Sequence, residues 1–198
     1  EITERYYTIQ PSSETALFLA KGFQERKEND KALKYLREAL AVEADPVKKE
    51  SLYTQIAIIE LSASNYSAAA TAARALHGIN PQNGYSYFIL GQCYASSACS
   101  SDGIGGASVY WAAYDAMSRA VELLGHEPTV QGVARKLAGS YSAGFPSQET
   151  CFFAELTAGD EVVTKYTFAP DGTSLVNDQF EMKAYDFINK TVNDATLN

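Results

Sequence analysis

The stretch Tyr87-Phe88-Ile89-Leu90-Gly91-Gln92-Cys93-Tyr94, followed after an insertion by Tyr110-Trp111-Ala112-Ala113-Tyr114-Asp115-Ala116-Met117-Ser118-Arg119-Ala120, decides the fold. Tyr87, Leu90, Gly91 and Tyr94 recur at helical spacing, and so do Ala113, Met117 and Ala120. Gly91 and Ala113 are small where two helices would touch. Upstream the same layout appears twice. Tyr53, Ile56 and Ala57 share a face, Asn65-Tyr66 interrupt, and Ala69, Ala73 and Leu76 follow until Asn80-Pro81. Before them Ala16, Leu19, Ala20 and Phe23 follow the caps Ser12, Ser13 and Glu14. Asn29-Asp30 break that pattern. Ala32, Leu36 and Ala39 then run to Asp45-Pro46, where the residue before proline avoids the α region.

Each copy is therefore a pair of helices. Ala20, Ala57 and Gly91 stand at one position, and Ala32, Ala69 and Ala113 at the other. Small residues let the two helices approach, and Phe23, Tyr66, Tyr94 and Tyr110 fill the space between copies. Two helices per unit with a period in the mid-thirties form the signature of tetratricopeptide repeats (TPR), whose units cannot bury their apolar faces alone and stack in series. The predicted fold class is mainly α, an α-α superhelix of about three helix pairs. The third copy fits the pattern best. In the second, Glu60 stands where the pattern prefers Tyr. The third also carries an insertion: Gly91 and Ala113 are 22 positions apart, against 12 for each earlier pair.

A seventh helix is predicted from Pro128 to Tyr141, with Pro at a permitted first-turn position and Val133, Leu137 and Tyr141 on one face. It reads as the first helix of an unfinished fourth unit, capping the solenoid over residues 1–145. Residues 146–198 read as a small acidic segment packed on the last helices. Cys151, Phe152 and Phe153 suggest a short β run, and Gly159-Asp160 a turn. Val162, Thr164, Tyr166 and Phe168 then alternate with Val163, Lys165 and Thr167, and Pro170-Asp171-Gly172 can turn the chain into a hairpin. Thr173 to Phe180 suits a further strand. Phe180, Ala184, Phe187, Ile188 and Val192 fit a helical face. A lone hairpin is marginal in water, so this segment needs a surface to pack on.

Composition narrows the function. The 198 residues carry a net charge of −8, of which residues 145–198, with three Lys and nine Asp or Glu, hold −6. That balance argues against a nucleic-acid partner, which needs clustered cations. No apolar run reaches the ~20 residues that span a bilayer. The chain starts at Glu1 without Met or an apolar leader, which suggests a removed leader or a trimmed sequence. Cys93, Cys99 and Cys151 form no regular framework. Cys93 and Cys99 cannot pair unless the helix ends between them, because six helical residues rise about 9 Å. Cys151 could pair with either, or all three could be free.

Little catalytic chemistry is visible. His77 and His126 lack ligand-spaced partners, so no metal is expected, and each suits a helix C-terminus. No Gly-x-Ser-x-Gly elbow occurs, and nothing places a base beside a cysteine. The loop Ser100-Ser101-Asp102-Gly103-Ile104-Gly105-Gly106 lacks the Lys and the preceding strand of a phosphate cradle, and one Asp is too few for calcium. It reads as a flexible insertion. No cofactor is implied. Trp111 with Tyr110 and Tyr114 reads as packing, or alternatively as an exposed aromatic platform for a sugar.

The whole resembles a group of exported bacterial TPR proteins. The resemblance rests on the third repeat and its Gly-rich insertion, on Tyr110-Trp111-Ala112-Ala113, on Tyr141 with Phe145-Pro146, and on Phe152-Phe153 before Gly159-Asp160. It implies a helical repeat that binds protein or peptide, in an exported setting, periplasmic or at the cell surface. The concave positions of the first helices would be Leu17, Lys21 and Gln24, then Thr54, Ile58 and Leu61, then Tyr85, Phe88 and Gln92. Family members that grip a peptide's terminal carboxylate use Lys and Asn there, and only Lys21 matches. The expected groove is apolar and aromatic, suited to an extended or helical peptide, unless the acidic segment folds back and fills it. The expected role is a non-catalytic interaction scaffold. The alternatives are a homo-oligomer assembled through the C-terminal cap and β segment, and an enzyme acting on sugar or peptide through Glu155, Asp160 and Glu161.

Overall fold

The computed structural model describes residues 5, 7, 8, 11–100, 105–158, 160–168 and 176–183. Pro170-Asp171-Gly172, most of the Gly-rich loop and the helical pattern after Lys183 lie outside the described residues. The chain divides into two compact units, Glu1–Ile89 and Leu90–Asn198.

The first unit holds α1 (Ser13–Glu25), α2 (Asn29–Val42), α3 (Pro46–Ser62), α4 (Tyr66–Ile79) and the start of α5 (Gly84–Ala95). Local chemistry sets their ends. Ser12 Oγ accepts the Thr15 amide at 3.1 Å, and Asp45 Oδ1 accepts that of Val47 at 2.9 Å with Pro46 opening α3. The α1–α2 and α3–α4 turns are built alike. The Glu28 amide reaches Phe23 O and the Lys27 amide reaches Gln24 O. The Asn65 amide likewise reaches Glu60 O, and that of Ser64 reaches Leu61 O. Lys27 and Ser64 both sit at φ 61°, in the left-handed position that ends such a helix.

Helix α1 packs on α2, α3 packs on α4, and α3 also touches α1 and α2. The small residues Ala20, Ala32, Ala57 and Ala69 are all buried at these contacts. Around them Leu36, Leu52, Ile59 and Leu76 are fully enclosed, each stabilising the fold by about 1.5–3 kcal/mol. Phe23 is buried and stacks on Tyr35 with ring centroids 5.6 Å apart. Glu60 is buried too. It accepts from the Arg37 guanidinium and, at 2.8 Å, from Asn65 Nδ2, so the acidic residue that departs from the repeat pattern is paired across neighbouring repeats.

The second unit holds the end of α5, β1 (Ala98–Ser100), a 3-10 turn (Gly105–Ser108), α6 (Val109–Leu123), α7 (Pro128–Ser142), α8 (Gln148–Phe153), β2 (Glu161–Phe168) and β3 (Val176–Lys183). A Cβ on Gly91 would lie 3.0 Å from Ala113 O and 2.9 Å from Met117 Cε, so glycine permits a close helix approach there. Helices α6 and α7 pack together. The face of α7 differs from the expected one: Ala134 and Ala138 are its buried residues, while Val133 is 45% exposed. Tyr110 lies on Gly144 and 6.2 Å from Tyr141, and Tyr114 meets Phe145 edge-on at 5.3 Å. The expected β run at Cys151-Phe152-Phe153 is instead helix. Ser147 caps it by accepting the Thr150 amide at 3.1 Å, and its adjacent phenylalanines lack the alternation a strand needs. In the Gly-rich insertion, residues 98–100 form β1, antiparallel to β2, which is in turn antiparallel to β3.

Candidate binding face

The expected groove residues fall on the first helices of the repeats. Leu17, Lys21 and Gln24 lie on α1, and Thr54, Ile58 and Leu61 on α3, each 37 positions later. Tyr85 and Phe88 lie on the first turns of α5. Gln92 lies one turn further along, in the second unit. Lys21 is exposed and the others are half-buried. Thr54 Oγ1 donates to Glu50 O at 2.7 Å, so its hydroxyl is engaged on its own helix. Ile58, Leu61, Tyr85 and Phe88 present apolar surface that the core does not fully absorb.

Their register depends on a residue the motif reading missed. Glu50 Oε2 accepts from Asn80 Nδ2 at 2.9 Å and from Asn83 Nδ2 at 3.2 Å, while Asn83 Oδ1 accepts the Tyr85 amide at 3.0 Å. One carboxylate thus ties the second turn of α3 to the entry of α5. The same clasp exists one repeat earlier with its chemistry reversed: Ser13 Oγ donates to the Glu43 carboxylate. Ser13 to Glu50 and Glu43 to Asn80 are both steps of 37. This equal spacing was the available signal, and it was hidden because donor and acceptor change places. Glu43 also accepts the Ala44 and Asp45 amides, each at 2.9 Å. The Ser13 hydroxyl, then the Asp45 amide, holds its carboxyl below the usual range. Beside it Lys48 pairs with Glu14 at 2.8 Å, lowering the Glu14 carboxyl and raising the lysine.

The other candidate groups have structural surroundings. Asp160 Oδ2 accepts the Thr157 amide at 2.6 Å and its hydroxyl at 2.8 Å, which keeps the carboxyl low, and Glu155 is exposed at φ 56° after α8. Trp111 is fully buried and so offers no sugar platform. His77 lies in the last turn of α4, edge-on to Tyr87 at 5.2 Å, and His126 is exposed just beyond α6. Cys93 and Cys151 are buried thiols outside any disulfide, and burial pushes the Cys151 thiol up. Helix α5 ends at Ala95, so Cys99 lies off it, on β1. Among the described residues no group of three or more His, Cys, Asp or Glu could hold a metal ion, and no helix is long and apolar enough to cross a membrane.

No protein-family model and no curated protein sequence matches the chain. Its fold is similar to those of solved TPR proteins. The Hsp90 co-chaperone Cns1 from Saccharomyces cerevisiae matches at 20% identity and a TM-score of 0.50, over 66% of this chain and 40% of that one. MamA matches at 16% identity and a TM-score of 0.50, over 77% of this chain and 85% of that one. The chain therefore spans well under half of Cns1. The likeness shows the fold: mainly α, with TPR-type helix pairs.

Proposed function

We propose that the protein is a non-catalytic interaction scaffold whose first-helix face in the first unit holds an apolar peptide segment of a partner protein. The observation that carries this reading is the set Ile58, Leu61, Tyr85 and Phe88. All four are half-buried, on the first helices of successive repeats whose register Glu50 fixes. Such a face suits anchoring by apolar side chains of an extended or helical peptide. Thr54 supplies a polar margin. In this reading the acidic segment 146–198 is a separate element that closes the helical region, its hairpin packed on the last helices, and the protein works in the exported setting that the resemblance implies.

The test is capture of a partner from native extract by the wild-type chain and by Phe88→Asp. A partner retained by the wild type and lost by the variant, at unchanged thermal stability, supports the reading. Equal capture by both sinks it. Removing residues 146–198 distinguishes a groove filled by the chain's own tail, since capture would then rise sharply.

A further inference from the structure

A peptide on the first-helix face needs partners for its own backbone, and the face has almost none to give. On α3 the hydroxyls of Ser51, Thr54 and Ser62 all turn back to their own helix, donating to Val47 O at 3.4 Å, Glu50 O at 2.7 Å and Ile59 O at 2.8 Å. At the entry of α5, Ser86 is buried and its Oγ donates to Asn83 O at 2.8 Å. Asn80 and Asn83 are engaged at both ends of their side chains. Their amides donate to Glu50, and their carbonyl oxygens accept the Gln82 and Tyr85 amides at 3.0 Å each. What the face presents is Ile58, Leu61 and Phe88, with the phenol of Tyr85 as one polar group.

The same face is without charge. From Ser51 to the end of α3 the one charged residue is Glu60, which is buried and paired with Arg37 and Asn65. Helix α5 has no charged residue. Lys21 and Glu25 stand one repeat away on α1, both exposed and of opposite sign. Charge complementarity therefore calls for an uncharged contact side on the ligand, because a charge pressed here would lose its water and gain no counter-ion.

An extended chain carries an N–H and a C=O at each residue, and those pressed on this face would be desolvated without a partner. An α-helix satisfies its backbone within itself and presents side chains alone. We propose, resting on the peptide-binding reading above, that the segment this face takes is an amphipathic α-helix, apolar and uncharged on the side it docks. It is neither an extended strand nor a chain terminus. A terminal carboxylate would find no cation on this part of α3 or on α5. The helix lays its apolar stripe along Ile58, Leu61, Tyr85 and Phe88 and keeps its charged side in water.

The test pans two pools of phage-displayed peptides, about 14 residues or four helical turns long, on the immobilised full chain. One pool is an Ala, Glu and Lys helix with Leu, Ile, Met, Phe and Val varied at i, i+3, i+4 and i+7. The other sets the same apolar residues between prolines, which hold the backbone extended. Binders should come from the helical pool. A selected peptide should gain helical circular dichroism on the chain. Proline on its polar side should weaken it at least about tenfold, whereas alanine there should leave it unchanged. Ile58→Asp and Phe88→Asp in the chain should each weaken it at least about tenfold. Thermal melting checks that both variants fold, and Ser replaces Asp where one does not. Binders from the proline pool that Phe88→Asp abolishes overturn the helix while the peptide-binding reading stands. No binder from either pool overturns both. A helical binder indifferent to Ile58→Asp and Phe88→Asp overturns the proposal, and so does self-association of the chain that Phe88→Asp abolishes, since the face then belongs to a second copy.

Discussion

The first two repeats and the third solve the same packing problem by different means. The first two match the TPR pattern poorly in letters but closely in geometry: the same left-handed turn at Lys27 and Ser64, and the same clasp with donor and acceptor exchanged. The third matches best in letters and departs most in geometry. Gly91 brings its helices to near contact at Ala113, and after Ala95 the chain enters β1 where the earlier copies turn directly into the next helix. Motif letters therefore report the helix–helix contact, whereas the connection between helices is set by backbone and side-chain partners that the motif does not include.

The difference can be broken most forcefully at Gly91. Gly91→Val should destabilise the chain by about 3 kcal/mol in urea unfolding, because the contacted Ala113 carbonyl is backbone and cannot yield. Next comes the buried carboxylate of the second repeat. Arg37→Met should cost about 2 kcal/mol, less than for a buried arginine because Arg37 is itself largely exposed, and adding Glu60→Met should recover most of it. A double-mutant cycle by thermal melting reads both. Asn80→Ala removes one donor from Glu50 and should cost about 1 kcal/mol. Ser64→Gly should instead stabilise, by up to about 1 kcal/mol, by relieving the left-handed strain; Ser97→Gly, just past α5 and outside the left-handed region, should not. The smallest effect at neutral pH is the acid response of the first clasp. Glu14 and Glu43 are held below their ordinary value of 4.5, so their contribution is present above that pH and lost as pH falls through the lowered values. Glu43→Gln should flatten the fall of melting temperature in acid.

Much of the helical architecture was legible because it is local. Helical spacing with alanine or glycine at fixed places found the helix pairs, and proline and asparagine marked their ends. What failed was either nonlocal or a contest of propensities. Cys151-Phe152-Phe153 have strand-forming side chains, but Ser147 and Thr150 cap a helix there. Val133, Leu137 and Tyr141 share one face by spacing, but the buried residues of α7 are Ala134 and Ala138. The pairing of Cys99 with Tyr166 joins residues far apart in sequence, and no periodicity announces it. The candidate face followed from repeat spacing, but Glu50 did not, because its partners Asn80 and Asn83 carry no motif.

Every cysteine of the chain falls after residue 89. Cys93 and Cys151 are enclosed and carry no disulfide, and the Cys151 thiol is reluctant to ionise. Alkylating reagents can reach these sulfurs only when the surrounding helices part. The rate at which Cys151 is labelled is therefore a clock for the opening of the helices that enclose it, one that runs without any introduced probe.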